Sequence, residues 1–337
     1  MTLGHSVRVI APVWAVPRPF HWLRPDLAGL HSTAHVSESD GSLVLHPRML
    51  GLPGHPLPRL TERSLVRRSA GLLDQLGEWS PDMVICHTLW PVLSLASRLA
   101  MEHRAPIICW LHGWDADAAP SRVRRRIRRL VSDVLEHSRL KGVVIVSERH
   151  RTWVESLIDG AVPVHLMPCP TMLQADAPTE PAEPADKEGS KSDLIRVLFP
   201  ASPHRRVKDV RLFDAVVAEL RHRGSTVAVT YLDHLPPEAV QTAILDADIV
   251  LMTSRREASP LVPREAVALG RRVAAVPVGD LVDWMPRAAL SRSRAAGDVA
   301  DAVLAAMAMP IESWSLPDIY SESHHRERLA RLLADED

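Results

Sequence analysis

The stretch DIVLMTSRREASPLVPREAVALGRRVAAVPVGD, residues 248–280, decides the fold. A continuous apolar run, DIVLMTS, leads into a polar loop. An Ala-rich helical pattern follows over 263–269, then a second β-branched run, RVAAVPVG, at 272–279. Runs of this kind mark strands buried on both faces, and a helix between two of them makes a βαβ unit. Glu257 follows the first strand, at its carboxyl end. Glu265 stands eight residues later and is predicted in the first turn of the helix. Between them, Ser259, Pro260, Leu261 and Val262 lead into a helix N-terminus, whose amides favour anions such as phosphate. One carboxylate is then placed to accept hydrogen bonds from a sugar and the other from a ribose. The plainer reading leaves Glu265 on the helix dipole and Glu257 in solvent.

Upstream, the same alternation runs through IRVLFPAS (195–202), a helix at 209–223, TVAVTYL (226–232) and a helix at 236–246. The first half repeats it in VRVIAPV (7–13), DMVICH (82–87), PIICWLHG (106–113) and GVVIVS (142–147). Helical patterns Leu89–Glu102 and Ser121–His137 lie between these runs. In the second, Val123, Ile127, Leu130, Val131 and Val134 form one stripe. Residues 171–193, rich in Pro, Ala, Glu and Asp, interrupt the pattern as a linker or surface loop. The predicted class is α/β, with two Rossmann-like, doubly wound domains facing across a cleft. The first covers 1–170, the linker 171–193 and the second 194–316, with a C-terminal helix at 317–337 crossing back to the first. Ligands bind outside the carboxyl ends of strands in such sheets.

Composition narrows the partners. A net charge of -1 over 337 residues offers no general attraction to nucleic acid or to an anionic membrane. Only four of 40 basic residues are Lys, a bias that points to a GC-rich bacterial genome. Cys86, Cys109 and Cys169 lie far apart with no C-x-x-C spacing, as expected of reduced thiols in a cytoplasm. The first apolar run reads as a strand and not as a signal peptide, and no run approaches the roughly 18–20 apolar residues of a membrane span. The expectation is a soluble, cytoplasmic protein. Six arginines crowd RVRRRIRR, residues 122–129. A solvated face of helix 121–137 is favoured over membrane-surface contact. Nucleic acid is disfavoured because stacking aromatics are scarce. Nothing points to an oligomeric state.

Two further constellations stand at predicted strand ends. In FPASPHRRVKDV (199–210), Arg205, Arg206 and Lys208 occupy the turn before a helix, where their charges would neutralise a diphosphate. In WLHGWDADAAP (110–120), His112 and Gly113 sit where a sugar contact is wanted. Asp115 and Asp117 spell D-x-D, a pattern that holds a metal in some sugar transferases. That reading is set aside, because the basic residues already supply the neutralising charge. Trp14, Trp22, Trp90, Trp110 and Trp114 crowd the first half; Trp14, Trp90 and Trp114, at strand ends, are candidates to stack on an acceptor. His324-His325 reads as part of a surface helix.

These residues resemble the GT-B retaining glycosyltransferases of family 4. The resemblance rests on the E-x7-E pair Glu257 and Glu265, on EAVALG (265–270) and VPVGD (276–280), on a basic pair like Arg205 and Lys208, and on HGWD (112–115). SPDMVICHTLWP (80–91), GVVIVSERHR (142–151) and VHLMPCP (164–170) extend it, so that it spans about residues 80 to 285. The chain departs from the family in APVWAVPRPF (11–20), which has no glycine where a Gly-rich loop is usual, and in Ala258, where glycine is usual.

The resemblance implies an enzyme that moves a sugar, with retention and without metal or other cofactor, from a nucleotide-diphosphate sugar to an acceptor hydroxyl. UDP-sugar is the favoured donor and a small soluble natural-product intermediate the favoured acceptor. It implies catalytic roles for His112, Glu257, Arg205 and Lys208. Substrate binding falls to Glu265, Leu261, Val262, Arg206, Gly113, Asp115, Ser259 and Pro260. A non-catalytic nucleotide- or sugar-binding protein, a nucleotide-sugar 2-epimerase and transfer to a lipid acceptor at a membrane surface are the alternatives.

Overall fold

The computed structural model describes residues 4–15, 34–39, 41–51, 55–137, 139–171 and 194–334. The chain divides into two compact units, Met1–Leu166 and Met167–Asp337. The interdomain linker expected at 171–193 lies outside the described residues from position 172 onward, as do Trp22 and residues 16–20, half of the stretch where a Gly-rich loop was sought.

The first unit opens with short strands, β1 (Arg8–Ile10), β2 (Val13–Ala15), β3 (Val36–Ser39), β4 (Ser42–Leu45) and β5 (Arg48–Leu50). The run 7–13 was expected as one strand buried on both faces. It forms two, only partly buried, because Pro12 has no N–H to donate and the chain changes partner there. β1 runs parallel to β4 and β2 parallel to β5, with Pro47 marking the same break on the other side.

After α1 (Pro58–Leu73) come β6 (Val84–His87), α2 (Leu93–His103), β7 (Ile107–Leu111), the short α3 (Trp114–Asp117), α4 (Ser121–His137), β8 (Leu140–Ile145), α5 (Arg151–Ile158) and β9 (Val164–Leu166). These four strands form a parallel sheet in the order β6-β7-β8-β9. All five residues of β7 are buried, as its unbroken apolar sequence requires. The α4 stripe predicted from its periodicity is the buried one. α4 also packs beside α1, where Arg126 pairs with the buried Glu62 at 2.7 Å.

The second unit is a βαβαβαβ run of β10 (Leu194–Phe199), α6 (Val210–His222), β11 (Thr226–Tyr231), α7 (Pro237–Asp246), β12 (Ile249–Met252), α8 (Leu261–Ala268) and β13 (Arg272–Ala275). Helices α9 (Leu281–Trp284), α10 (Ala296–Ala308) and α11 (Glu322–Ala334) follow. Its strands are parallel in the order β11-β10-β12-β13. The winding direction therefore reverses between β10 and β12, which makes the carboxyl ends of those two strands a topological switch point. Val197, Leu198, Phe199, Ile249, Val250 and Leu251, each at most 1% exposed, form the centre of the core beneath it. No helix among the described residues is long and apolar enough to cross a membrane.

Candidate active site

At the switch point the loops after β10 and β12 are braced against each other. A one-turn helix at Arg206–Lys208 ends in Asp209, whose φ of 55° places it in the left-handed region. Asp209 is nearly buried and receives Nε of Arg255 at 2.9 Å and Nη2 of Arg294 at 2.7 Å. Burial works against its charge, but the two guanidinium groups outweigh that and hold its carboxyl below the usual range. Arg294 also donates to the carbonyls of Thr253 and Ser254, and the Arg255 N–H donates to the Val207 carbonyl at 2.8 Å. The bracing brings two predicted residues together. Lys208 Nζ lies 2.7 Å from Glu257 Oε1, with both side chains 14% exposed. Arg205 and Arg206 stand exposed on the same turn. One loop thus presents cations, one of them already oriented by a carboxylate from the other loop.

Helix α8 begins at Leu261, two residues earlier than its sequence suggested. The first turn of a helix needs no N–H donors, so Pro263 fits there as third residue. Glu265 consequently belongs to the second turn and not the first. It is half-buried, and desolvation raises its pKa above the ordinary glutamate value, opposed in part by Arg264. Pro260, at the N-cap, offers no side-chain hydrogen bond, so the amides of Leu261 and Val262 carry no cap from it. Ser259, expected to touch substrate, instead donates its hydroxyl to Asp280.

Gly279 shows why the V-G pattern matters. Its φ is +63°, and a Cβ there would meet the Ala258 carbonyl at 2.8 Å and the Glu257 Cβ at 3.2 Å. Only glycine lets the strand end press on the glutamate loop.

In the first unit, β6 and β7 end in His87, Trp110 and His112. His87 Nδ1 and His112 Nε2 are 2.9 Å apart, and the two rings stack at 5.2 Å between centroids. Trp110 stacks on His87 at 5.5 Å. Desolvation, followed by repulsion from the His87 imidazole, pushes the His112 pKa down to about 4, so this ring is neutral at physiological pH. Gly113 adopts φ 104° as the N-cap of α3.

Asp115 corrects an expectation. It is fully buried, and its carboxylate accepts the Leu89 and Trp90 N–H groups at 2.9 and 3.2 Å. It caps the chain entering α2 and meets no solvent from which a substrate could come. Burial lifts its pKa to about 6 against those two hydrogen bonds. Asp117 turns to His150 at 3.1 Å, so the two carboxylates of D-x-D go to different partners. Among the described residues, no group of three or more His, Cys, Asp or Glu is placed to hold a metal ion.

Trp90, a candidate stacking surface, is core. It is 2% exposed, with Trp14, Trp114 and His55 rings within 6.0 Å of its own and its Nε1 on Glu62. The residues that sequence reasoning missed are His87, Asp209, Arg255 and Arg294, and beside them Arg264, Asp280 and Tyr320. His87 and Asp209 sit inside or next to quoted motifs. The arginines carry no local signal.

Residues 1–173 match the model of Glycosyltransferase Family 4. The chain belongs to that family. It is a glycosyltransferase, and its α/β architecture of two Rossmann-like units is GT-B. Among solved structures with this fold, sucrose-phosphate synthase from Thermosynechococcus elongatus superposes with a TM-score of 0.65 at 14% identity, covering 97% of this chain and 99% of that one. HepE from Anabaena, in complex with UDP and glucose, gives 0.59 at 15%, with coverages of 97% and 91%. An α,α-trehalose-phosphate synthase (UDP-forming) from Burkholderia vietnamiensis gives 0.57 at 14%, with 98% and 94%. No curated protein matches the sequence. The family match falls on the first unit, whereas the E-x7-E pair lies in the second. Roles for this family member's Glu257 and Glu265 therefore rest on geometry.

Proposed function

We propose that this glycosyltransferase is a retaining, metal-independent enzyme of the cytoplasm, taking its sugar from a nucleotide-diphosphate donor, UDP-sugar in the favoured case. The observation that supports this most is the Lys208–Glu257 contact at the switch point, 2.7 Å long and flanked by exposed Arg205 and Arg206. A diphosphate needs cations, and a sugar whose anomeric carbon is becoming positive needs a carboxylate. Here both stand on adjoining loops.

Lys208, Arg205 and Arg206 hold the diphosphate and stabilise the charge that grows on it as the anomeric C–O bond breaks. The Leu261 and Val262 amides add dipoles, and Pro260 sets the helix entry. Glu257 accepts hydrogen bonds from the sugar hydroxyls and Glu265 from the ribose diol. Within the first unit, His112 is a neutral imidazole suited to a sugar hydroxyl, with Gly113 beside it. The acceptor oxygen attacks from the face the diphosphate leaves, and its proton passes to a phosphate oxygen, so the anomeric configuration is retained. The three basic side chains supply the neutralising charge without a divalent cation. A small soluble natural-product intermediate is the acceptor. Cys86, Cys109 and Cys169, far apart in sequence and without C-x-x-C spacing, suit a reducing cytoplasm.

The solved relatives support the donor class, since HepE carries UDP and glucose and a starch synthase from Arabidopsis thaliana carries ADP and acarbose. The test is a thermal-shift screen of UDP, GDP, ADP and dTDP with EDTA and with Mg²⁺. A ligand at 100 times its Kd stabilises by about 2.7 kcal/mol. Stabilisation by one of them in EDTA, followed by an α-linked product from its α-sugar, is expected. Binding only with Mg²⁺ contradicts the metal-independent reading. An epimerised donor or binding without turnover contradicts transfer.

A further inference from the structure

The loop after β12 is held from below by a buried polar cluster that the proposed reaction does not use. Arg264 is fully buried, a rare place for a guanidinium. It donates from Nη2 to the Ser259 carbonyl at 3.2 Å, and its Cζ lies 4.5 Å from the centre of the Tyr320 ring. Its Nε and Nη1 find no acceptor among the described residues. Asp280, 3% exposed, receives the hydroxyl hydrogens of both Ser259 and Tyr320 on Oδ2, the latter at 3.1 Å. The Asp280 N–H donates to the Ala258 carbonyl at 3.0 Å. Gly279, next to it, presses on Glu257. Each of residues 257, 258 and 259 is thus touched by this cluster or its neighbour.

Tyr320 comes from far along the chain, in the segment between α10 and α11. Its carbonyl receives the Thr171 N–H at 2.9 Å, and His325, five residues on, has Nδ1 3.3 Å from the Pro168 carbonyl. The C-terminal segment therefore grips the first residues of the second unit with the Tyr320 carbonyl and the His325 ring, and reaches Asp280 and Arg264 with the Tyr320 side chain. We propose that Tyr320, through Asp280 and Arg264, straps the 257–260 loop in the geometry that donor binding requires, which makes the three positioning residues. This rests on the donor-site reading given above.

The physical case is one of alternatives. A core position would be filled more cheaply by an apolar side chain, since a buried charge left partly unpaired costs free energy. Here the charges fall where the chain must hold an irregular loop whose own carbonyls and hydroxyl need partners. Arg264 and Asp280 supply them, and Tyr320 covers the guanidinium with its ring while ordering the carboxylate with its hydroxyl. The strap belongs to the unit that carries Glu257, so it acts on that carboxylate without touching a substrate.

Tyr320→Phe keeps the ring over Arg264 and removes only the hydroxyl. Hydrogen–deuterium exchange of the ligand-free full chain should show peptides covering 253–262 exchanging about tenfold faster, the loss of one hydrogen bond to a charged group, while β10, β12 and β13 stay protected. UDP affinity by calorimetry and UDP-glucose turnover should fall in the same variant with little change in Tm. Ser259→Ala removes the other hydroxyl on Asp280 and should accelerate the same peptides, which keeps the test open should Tyr320→Phe fold poorly. Unchanged exchange at 253–262 in either folded variant overturns the strap. If the wild type binds none of UDP, GDP, ADP and dTDP, the donor reading fails instead, while the exchange comparison still judges the strap.

Discussion

At the carboxyl ends of β6 and β7 the chain places stacked rings; at those of β10 and β12 it places ion pairs. His87 and His112, exposed and backed by the buried Trp110 ring, form a neutral surface, with His112 lowered to about 4. Lys208–Glu257 and Asp209 with Arg255 and Arg294 form a charged one. Both sheets are parallel and end in loops, so the backbone does not make this difference. The second sheet has a switch point, and the side chains there match the charged portion of a nucleotide sugar. The first offers flat rings and neutral nitrogens, which suit hydroxyl groups.

The sharpest way to break the contrast is to remove charge from the second unit. Lys208→Ala should lower kcat/KM for UDP-glucose by about 10²–10³-fold, the usual cost of one preorganised electrostatic group. A loss under tenfold, measured by initial rates, would mean that Lys208 serves only Glu257. Next in size, Glu265→Gln should weaken UDP binding by about 1.5–3 kcal/mol, as expected for a charged hydrogen bond. The Glu265 pKa is raised by desolvation, so acidification should protonate it at a higher pH than an ordinary glutamate. UDP affinity should therefore fall as pH drops through that raised value, and calorimetry across pH should show the step missing in Glu265→Gln.

Gly279→Ala probes the backbone under the charges. The methyl would meet the Ala258 carbonyl at 2.8 Å in a left-handed conformation, and a loss of about 1–3 kcal/mol in thermal unfolding is expected. Smallest is the effect in the first unit. His87→Phe preserves stacking but removes the imidazole that repels a charged His112. The His112 pKa should rise part of the way from about 4 toward 6.5, since desolvation remains, and NMR titration reads it directly. A pKa that stays put would make burial the whole cause.

The second sheet was legible in sequence because strands buried on both faces leave unbroken apolar runs, as IVLM and RVAA do. β2 to β5 were not, and β1 was read only as part of one longer strand over 7–13, since strands of three or four residues, broken at Pro12 and Pro47, leave no period to read. Glu257 and Lys208 were each legible from their places at strand ends. Their contact spans 49 residues and exists only because β10 and β12 are neighbours. Asp115 misled because its partners, the Leu89 and Trp90 amides, lie 26 and 25 residues away. Glu265 was placed a turn too early because Pro263 was taken as the start of α8, a position that any residue of the first turn could have shared.

The proposed division of labour gives the sugar to Glu257 and the diphosphate to its partner Lys208. Glu257→Gln measures it, with UDP affinity by calorimetry set beside UDP-glucose turnover. Without the carboxylate at 2.7 Å, the Lys208 ammonium has a diphosphate as its remaining anionic partner. UDP affinity equal to the wild type's or tighter is expected, with turnover reduced by about 10²-fold or more. Weakened UDP binding with turnover unchanged would contradict it and give Glu257 to the nucleotide.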